Sequence, residues 1–91
     1  MEIKKIAMAG SLESNDVLVT LRPIDKGVKL EIDSIVEKQF KDRIEEIAYG
    51  TLKRMDVGNV FLKIQDKGAL DCVLEARIET AILRGGAEKN D

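Results

Sequence analysis

Apolar and polar residues alternate in two short segments of the first third of the chain. In residues 17–21 the apolar side chains of Val17, Val19 and Leu21 fall on one face when successive residues point to opposite sides. Residues 28–32 alternate apolar with charged side chains, which gives one buried and one solvated face. Both segments are therefore predicted to be β-strands.

The segment between these two strands carries turn residues. Pro23 can begin a turn, and Asp25, Lys26 and Gly27 follow it. We therefore predict that the two strands pair as an antiparallel hairpin. A weaker strand, from Ile3 to Ala9, is expected at an edge of the sheet.

The spacing of apolar residues changes to three and four after residue 34, which predicts a helix of about five turns. Ser34 with Glu37 forms a capping box that marks its start, and Gly58 marks its end. The apolar stripe consists of Val36, Phe40, Ile44, Ile47, Ala48, Thr51, Leu52 and Met55. Alternation in residues 60–64 predicts a further strand.

A second helix is predicted from Ala69 to about Leu83, where Gly85 and Gly86 end it. The predicted order is β-β-β-α-β-α in one domain over residues 1–91, with a flexible tail from about residue 86. This order indicates a small α+β domain, in which two helices pack on one face of a largely antiparallel sheet of about four strands.

The composition excludes several classes of function. The chain is 44% hydrophobic and 35% charged, as in soluble globular proteins. Its net charge is -2 and its aromatic content 3%, so it lacks the basic patch and the stacking platform of nucleic-acid binders. The run from Ile6 to Ala9 is too short for a signal peptide, and no segment suits a membrane span, so a cytoplasmic protein is expected.

The chain has no histidine, which excludes Ser-His-Asp and Cys-His catalysis and the usual metal sites. Only carboxylates, lysines and one tyrosine remain for acid–base chemistry, so an enzyme acting alone is disfavoured and no metal site is expected. The single cysteine, Cys72, cannot form an internal disulfide and is predicted to be a buried, inert helix residue. An acidic line on the same helix, formed by Asp71, Glu75 and Glu79, is either a solvated face or a surface that docks on a basic partner.

The segment from Ala9 to Asp16 consists of small and polar residues and is predicted to be a loop. A serine in it has an exposed hydroxyl and a flexible backbone, which a modifying enzyme can reach. In the simpler interpretation, Ser11, Ser14 and Asp16 only bond to nearby backbone N–H groups and build a turn.

Three blocks of sequence resemble the family of citrate lyase acyl carrier (gamma) subunits. They are AGSLESNDV at 9–17, SIVEKQF at 34–40 and DKGALDCVLEAR at 66–77, and their order and spacing make the resemblance specific. In that family the serine of the Glu-Ser-x-Asp block carries a prosthetic group, and Ser14 occupies this position. Ser11 lies where the family often has threonine and is the weaker candidate.

The resemblance implies a phosphoribosyl-dephospho-CoA group, joined to Ser14 by a phosphodiester and ending in a thiol. It implies a non-catalytic carrier that brings acetyl and citryl thioesters to the transferase (alpha) and lyase (beta) subunits while citrate is cleaved to acetate and oxaloacetate. A prosthetic-group transferase and an acetate-ligating enzyme would mature it. Arg77 falls among apolar residues, and it either pairs with an acidic residue of another element or contacts the phosphate of the group.

Two other functions stay open on the sequence. The related carrier subunit of malonate decarboxylase uses the same kind of group, and only the resemblance favours citrate lyase. An unmodified domain that binds a protein through its sheet edge or acidic helix is the alternative of a different class.

Overall fold

The computed structural model describes residues 1–35 and 37–87. Its elements are β1 (Ala7–Gly10), β2 (Val17–Arg22), β3 (Val28–Ser34), α1 (Lys38–Arg54), β4 (Val60–Asp66) and α2 (Asp71–Gly86). This order confirms the predicted α+β class and the β-β-β-α-β-α sequence of elements. Neither helix of the described part combines the length and the apolar character that a bilayer span requires.

The four strands form one sheet in the order β1-β2-β4-β3. β1 pairs antiparallel with β2, β2 pairs antiparallel with β4, and β3 pairs parallel with β4. The predicted hairpin between β2 and β3 is therefore wrong, because β4 lies between them. The chain leaves β3, crosses through α1 and returns as β4 beside β3, and such a crossover is what a parallel pair requires.

The core lies between one face of the sheet and the two helices. Every second residue of β2 and β4 is buried, as the alternation predicts. The buried apolar residues of these strands and of the helices are Val17, Val19, Leu21, Val60, Leu62, Ile64, Ile44, Ala48, Leu52, Leu74, Ile78, Ala81 and Ile82. The other face of the sheet is left open to solvent.

The start of α1 differs from the prediction. The helix begins at Lys38 with Glu37 as its N-cap, and no side chain bonds to its first N–H groups. Ser34 is instead the last residue of β3, in register with Asp66, and its hydroxyl donates to Asp66 Oδ2 over 3.2 Å. The predicted capping box is wrong because strand pairing holds Ser34 in an extended conformation. Val36, which was assigned to the apolar stripe, lies outside the described residues.

The two glycines near residue 85 do not stop α2, which begins at Asp71 and continues through Gly86. A Cβ on Gly85 would lie 2.6 Å from Leu21 Cδ1, and the Gly85 carbonyl accepts from the N–H of Lys4 over 2.8 Å. Gly85 therefore allows the helix to approach β2 and the N-terminal segment closely. The predicted flexible tail begins at about residue 86. In the structure Gly86 is the last residue of α2, and residues 88–91 lie outside the described part.

Cys72 is exposed on α2, so its predicted burial is wrong. The positions of α2 that face the core are Leu74, Ile78, Ala81 and Ile82, together with Gly85. These follow the three- and four-residue spacing of one helix face, and Cys72 is on another. The apolar neighbours of Cys72 in the sequence suggested a burial that the orientation of the helix does not give.

Candidate functional site

Residues 11–16, which we call the serine loop, connect β1 to β2. The N–H of Asp16 donates to the carbonyl of Glu13 over 3.1 Å and closes a four-residue turn with Ser14 and Asn15 at its centre. Asn15 has a φ of 67°, in the left-handed region that asparagine tolerates better than most residues. Ser14 therefore lies at the tip of a tight turn.

The backbone of the serine loop is bonded to both neighbouring segments. The N–H of Ser11 donates to the Val17 carbonyl over 3.2 Å. The N–H of Asn15 donates to the Lys67 carbonyl over 2.8 Å, and the N–H of Lys67 donates to the Asp16 carbonyl over 2.9 Å. These two bonds continue the pairing of β2 with β4 by one step, so the serine loop is anchored to the segment that follows β4.

Asp16 is the centre of the hydrogen bonds that hold the serine loop. Its carboxylate accepts from the Ser11 hydroxyl over 2.7 Å and from the Val17 N–H over 2.8 Å. Arg77 of α2 donates to it twice, from Nε over 3.1 Å and from Nη2 over 3.0 Å. These bonds, those of Arg77 first, then that of Ser11, lower the pKa of Asp16 to about 2.

Gly10 allows β1 to pass close to the start of β2, where the serine loop closes. Its φ is 95°, and a Cβ at this position would lie 1.8 Å from the Val17 carbonyl oxygen and 3.3 Å from Arg77 Cδ. No residue with a side chain fits this geometry without a shift of the backbone. Gly10 is therefore required by the backbone geometry at this position.

The two serines of the loop have different environments. Ser11 is half-buried, and its hydroxyl donates to Asp16 and accepts from the Glu13 N–H over 3.3 Å. Ser14 is exposed, and within the described residues its hydroxyl has no hydrogen-bond partner. The simpler interpretation, a residue that builds the turn by side-chain bonding, therefore applies to Ser11 and Asp16, while the Ser14 hydroxyl bonds to no described residue.

Arg77 lies beside the serine loop, as the hypothesis of a phosphate contact requires. It also forms an ion pair with Asp16, an acidic residue of another segment, as the hypothesis of a structural ion pair requires. The side chain is 42% exposed, so it is not the buried charge that the sequence suggested. In the described part of the chain Nη1 of Arg77 makes no hydrogen bond, which leaves its two N–H groups available.

The acidic line of α2 is a largely exposed helix face, as one of the two interpretations required, and its side chains pair with arginines of α1. Arg43 Nε donates to Asp71 over 2.5 Å, and Arg54 Nη2 donates to Glu75 over 3.0 Å and also to Glu79. These exposed pairs connect the two helices. Because such pairs contribute little stability, we assign them a role in helix orientation only.

Sequence reasoning missed the role of Asp16 as the centre of the loop and the part played by Asn15 and Lys67. Asp16 and Arg77 are 61 residues apart in the chain, so no local pattern could pair them. A signal for Asn15 was present, because asparagine is one of the residues that favours a left-handed turn position.

Because the pKa of Asp16 is lowered, the wild type should lose stability in acid. The Asp16→Asn variant, which lacks the carboxylate, should not show this loss. Since the folded pKa of about 2 is below the ordinary aspartate value of 3.8, the carboxylate stabilises the fold above pH 4, and this contribution disappears between pH 4 and pH 2. We expect the free energy of unfolding in urea to be higher for the wild type than for Asp16→Asn. This difference should be constant from pH 7 to 5 and should shrink below pH 4. Asp33→Asn, at an exposed position of β3, is the matched substitution that controls for the loss of one negative charge. An advantage over Asp16→Asn that is the same at pH 2.5 and pH 6 would contradict this prediction.

Comparison with known proteins places this site in a family context. Residues 4–85 match the family model described as malonate decarboxylase delta subunit. The chain is 45% identical over 91 residues to the citrate lyase acyl carrier protein of Halothermothrix orenii, covering 98% of this chain and 97% of that protein. It is 49% identical over 85 residues to the citrate lyase acyl carrier protein of Clostridium perfringens, covering 92% and 84%.

A solved structure shares the fold. A chain in the crystal structure of a Pseudomonas malonate decarboxylase hetero-tetramer in complex with malonate superposes with a TM-score of 0.69. The two chains are 21% identical, and the match covers 91% of this chain and 86% of that one. At this identity the likeness concerns the fold alone.

Proposed function

The chain belongs to the citrate lyase acyl carrier protein family, and from this premise we propose that it is the carrier subunit of a citrate lyase, with its prosthetic group on Ser14. The observation that carries the proposal is the exposed Ser14 hydroxyl, which has no partner among the described residues and sits at the tip of an anchored turn. An external transferase can reach this oxygen without breaking a hydrogen bond. At Ser11 it would have to displace Asp16.

The residues around Ser14 fit a group that is attached through a phosphodiester. Arg77 carries unused Nη1 donors beside the serine loop, and Lys67, whose backbone is bonded to Asn15, has an exposed side chain. Cationic donors of this kind bind phosphate oxygens well. We propose that Arg77 keeps Asp16 with Nε and Nη2 and contacts the phosphate with Nη1.

The proposed group is phosphoribosyl-dephospho-CoA, which supplies a thiol that holds acyl groups as thioesters when it is attached. The contribution of this chain is to hold the attachment point. Because the serine loop is bonded to β2 and to Lys67, the arm moves about a fixed origin. Tethering keeps the acyl group at about millimolar effective concentration near each partner site.

The proposed partners are the alpha and beta subunits of citrate lyase, to which the chain presents acetyl and citryl groups in turn. The prosthetic-group transferase and the acetate-ligating enzyme are its proposed maturation partners, in the cytoplasm. With no histidine in the sequence, the chain offers only carboxylates, lysines and one tyrosine for acid–base chemistry, and we assign the chemistry to the partner subunits.

A malonate decarboxylase is the second candidate, because the matching family model and the superposing structure both bear that name. It differs in the partners that the carrier serves. A carrier of either kind gains the mass of the group on maturation, so mass alone does not separate the two. An unmodified interaction domain gains no mass.

Reconstitution separates the candidates. We expect the chain, matured by co-expression with the citrate lyase maturation enzymes, to gain one prosthetic group and to support oxaloacetate release from citrate with the alpha and beta subunits. The control is the same chain in a malonate decarboxylase lacking its own carrier, where we expect no carbon dioxide release from malonate. Activity in the second assembly only would transfer the proposal to malonate decarboxylase, and no mass gain in either would support the interaction domain.

A further inference from the structure

A cleft of about 210 Å³ lies between the starts of α1 and α2, next to the end of β4. Ile44 and Leu74 line it and are 7% and 3% exposed, so its wall is apolar and belongs to the core. Phe40, 51% exposed, contributes an aromatic ring that packs little elsewhere. The cleft thus offers buried apolar surface beside an exposed aromatic side chain.

The cleft lies next to the serine loop. Gly68 lines it, and a Cβ on Gly68 would be 3.7 Å from Asn15 Oδ1. Lys67, the residue before Gly68, exchanges backbone hydrogen bonds with Asn15 and Asp16. Ser14 is the neighbour of Asn15 in the turn, so a group attached to Ser14 starts beside the cleft.

The charges around the cleft select among acyl groups. Among the described residues, the charged residues of the lining are Asp66, Asp71 and Arg43. Arg43 is already paired with Asp71 over 2.5 Å. Asp66 is 5% exposed and bonded to Ser34 and to the Ala69 N–H, and it has no cationic partner in the described residues. A carboxylate entering here would meet two carboxyl groups and an arginine that is already paired, which disfavours it relative to an uncharged group.

We infer that this cleft holds the acyl end of the arm while that end is an uncharged acetyl thioester, and releases it when the acyl group carries carboxylates. The inference rests on the proposed function. A volume of about 210 Å³ is below the roughly 300–1,000 Å³ of sites for drug-sized ligands, so the cleft takes the end of the arm and not the whole group. Docking there shields the thioester from water until a partner subunit takes it.

Cleavage of the acetyl thioester by neutral hydroxylamine tests this inference on the full-length, matured and acetylated chain. Because the arm is tethered at about millimolar effective concentration, a weak apolar site should be mostly filled. We expect cleavage about three- to tenfold slower than that of acetyl-CoA in the same buffer, followed by the mass of the peptide that contains Ser14. Phe40→Ala should bring the rate to within about twofold of the acetyl-CoA rate.

Tyr49→Ala is the matched control. Tyr49 is an aromatic residue of the same helix with a similar exposure of 43%, and it lines a different groove with Leu52 and Gly58. We expect its cleavage rate to equal that of the wild type. Equal rates for the wild-type chain and acetyl-CoA, or equal acceleration by both substitutions, would overturn the inference. These results leave the proposed function intact, because that function is tested separately by the mass gain on maturation and by the two reconstituted assemblies.

Discussion

Ser14→Ala is expected to abolish both the mass gain on maturation and the citrate-dependent release of oxaloacetate. The substitution removes the oxygen to which the group is attached, so no residual attachment should remain. Its stability should stay within about 0.5 kcal/mol of the wild type, because the exposed hydroxyl has no hydrogen-bond partner in the described residues. Intact mass, urea unfolding and a coupled oxaloacetate assay measure the three quantities.

Ser11→Ala is the matched control for this substitution. It removes a hydroxyl three residues away that donates to Asp16 and accepts from Glu13 N–H. We expect this variant to be less stable than the wild type and still to gain the prosthetic group. A mass gain in Ser14→Ala, or a loss of attachment in Ser11→Ala alone, would move the attachment site to Ser11.

Gly10→Ala is expected to lower the free energy of unfolding by roughly 2–5 kcal/mol. One part of this cost is the left-handed backbone at φ 95°, and the other is the collision of the new Cβ with the Val17 carbonyl oxygen. For a domain of this size, Tm should fall by more than about 10 °C. Thermal unfolding followed by circular dichroism measures the change.

Gly50→Ala provides the opposite result with the same chemical change. Gly50 lies within α1, and a Cβ there would meet nothing within 4 Å. Alanine should therefore stabilise the helix by about 0.5–1 kcal/mol. A Gly10→Ala variant that melts together with the wild type would show that the backbone at the end of β1 can relax, and the role of Gly10 would have to be abandoned.

The strands and helices were predictable because their periodicities differ, whereas the strand order was not. The alternation in β3 predicts that one face of the strand packs on the core, and Val28, Leu30 and Ile32 do so while half-buried. The alternation is the same whichever strand lies beside β3. Turn residues around Gly27 suggested a hairpin with β2. The order of elements β3, α1 and β4 was the better guide to the strand order than these turn residues. A strand, a helix and a strand in succession commonly form a parallel pair.

Local motifs failed where distant parts of the chain decide the structure. Ser34 has the spacing of a capping box, but its pairing with Asp66 keeps it in β3. Gly85 has the appearance of a helix stop, but the closeness of Leu21 explains why glycine is required. Cys72 is exposed because packing on the sheet determines which face of α2 is buried. The residues next to Cys72 in the sequence do not indicate that face.

The candidate site was predicted through resemblance more than through pattern. The residues alone left Ser11 and Ser14 as two serines of a turn. The three-dimensional arrangement separates them, since Asp16 engages Ser11 and leaves Ser14 free within the described part of the molecule. The anchoring of the loop by Arg77 and Lys67 depends on contacts between distant segments and had no local signal.

Peptide-level mass spectrometry of the segment that contains both Ser11 and Ser14 tests the central claim most directly. The protein should be isolated from its own host, assembled with its partner subunits and active. We predict that fragment ions locate the whole added mass on Ser14 and leave Ser11 unmodified. An active assembly in which Ser14 carries no added group would contradict the account.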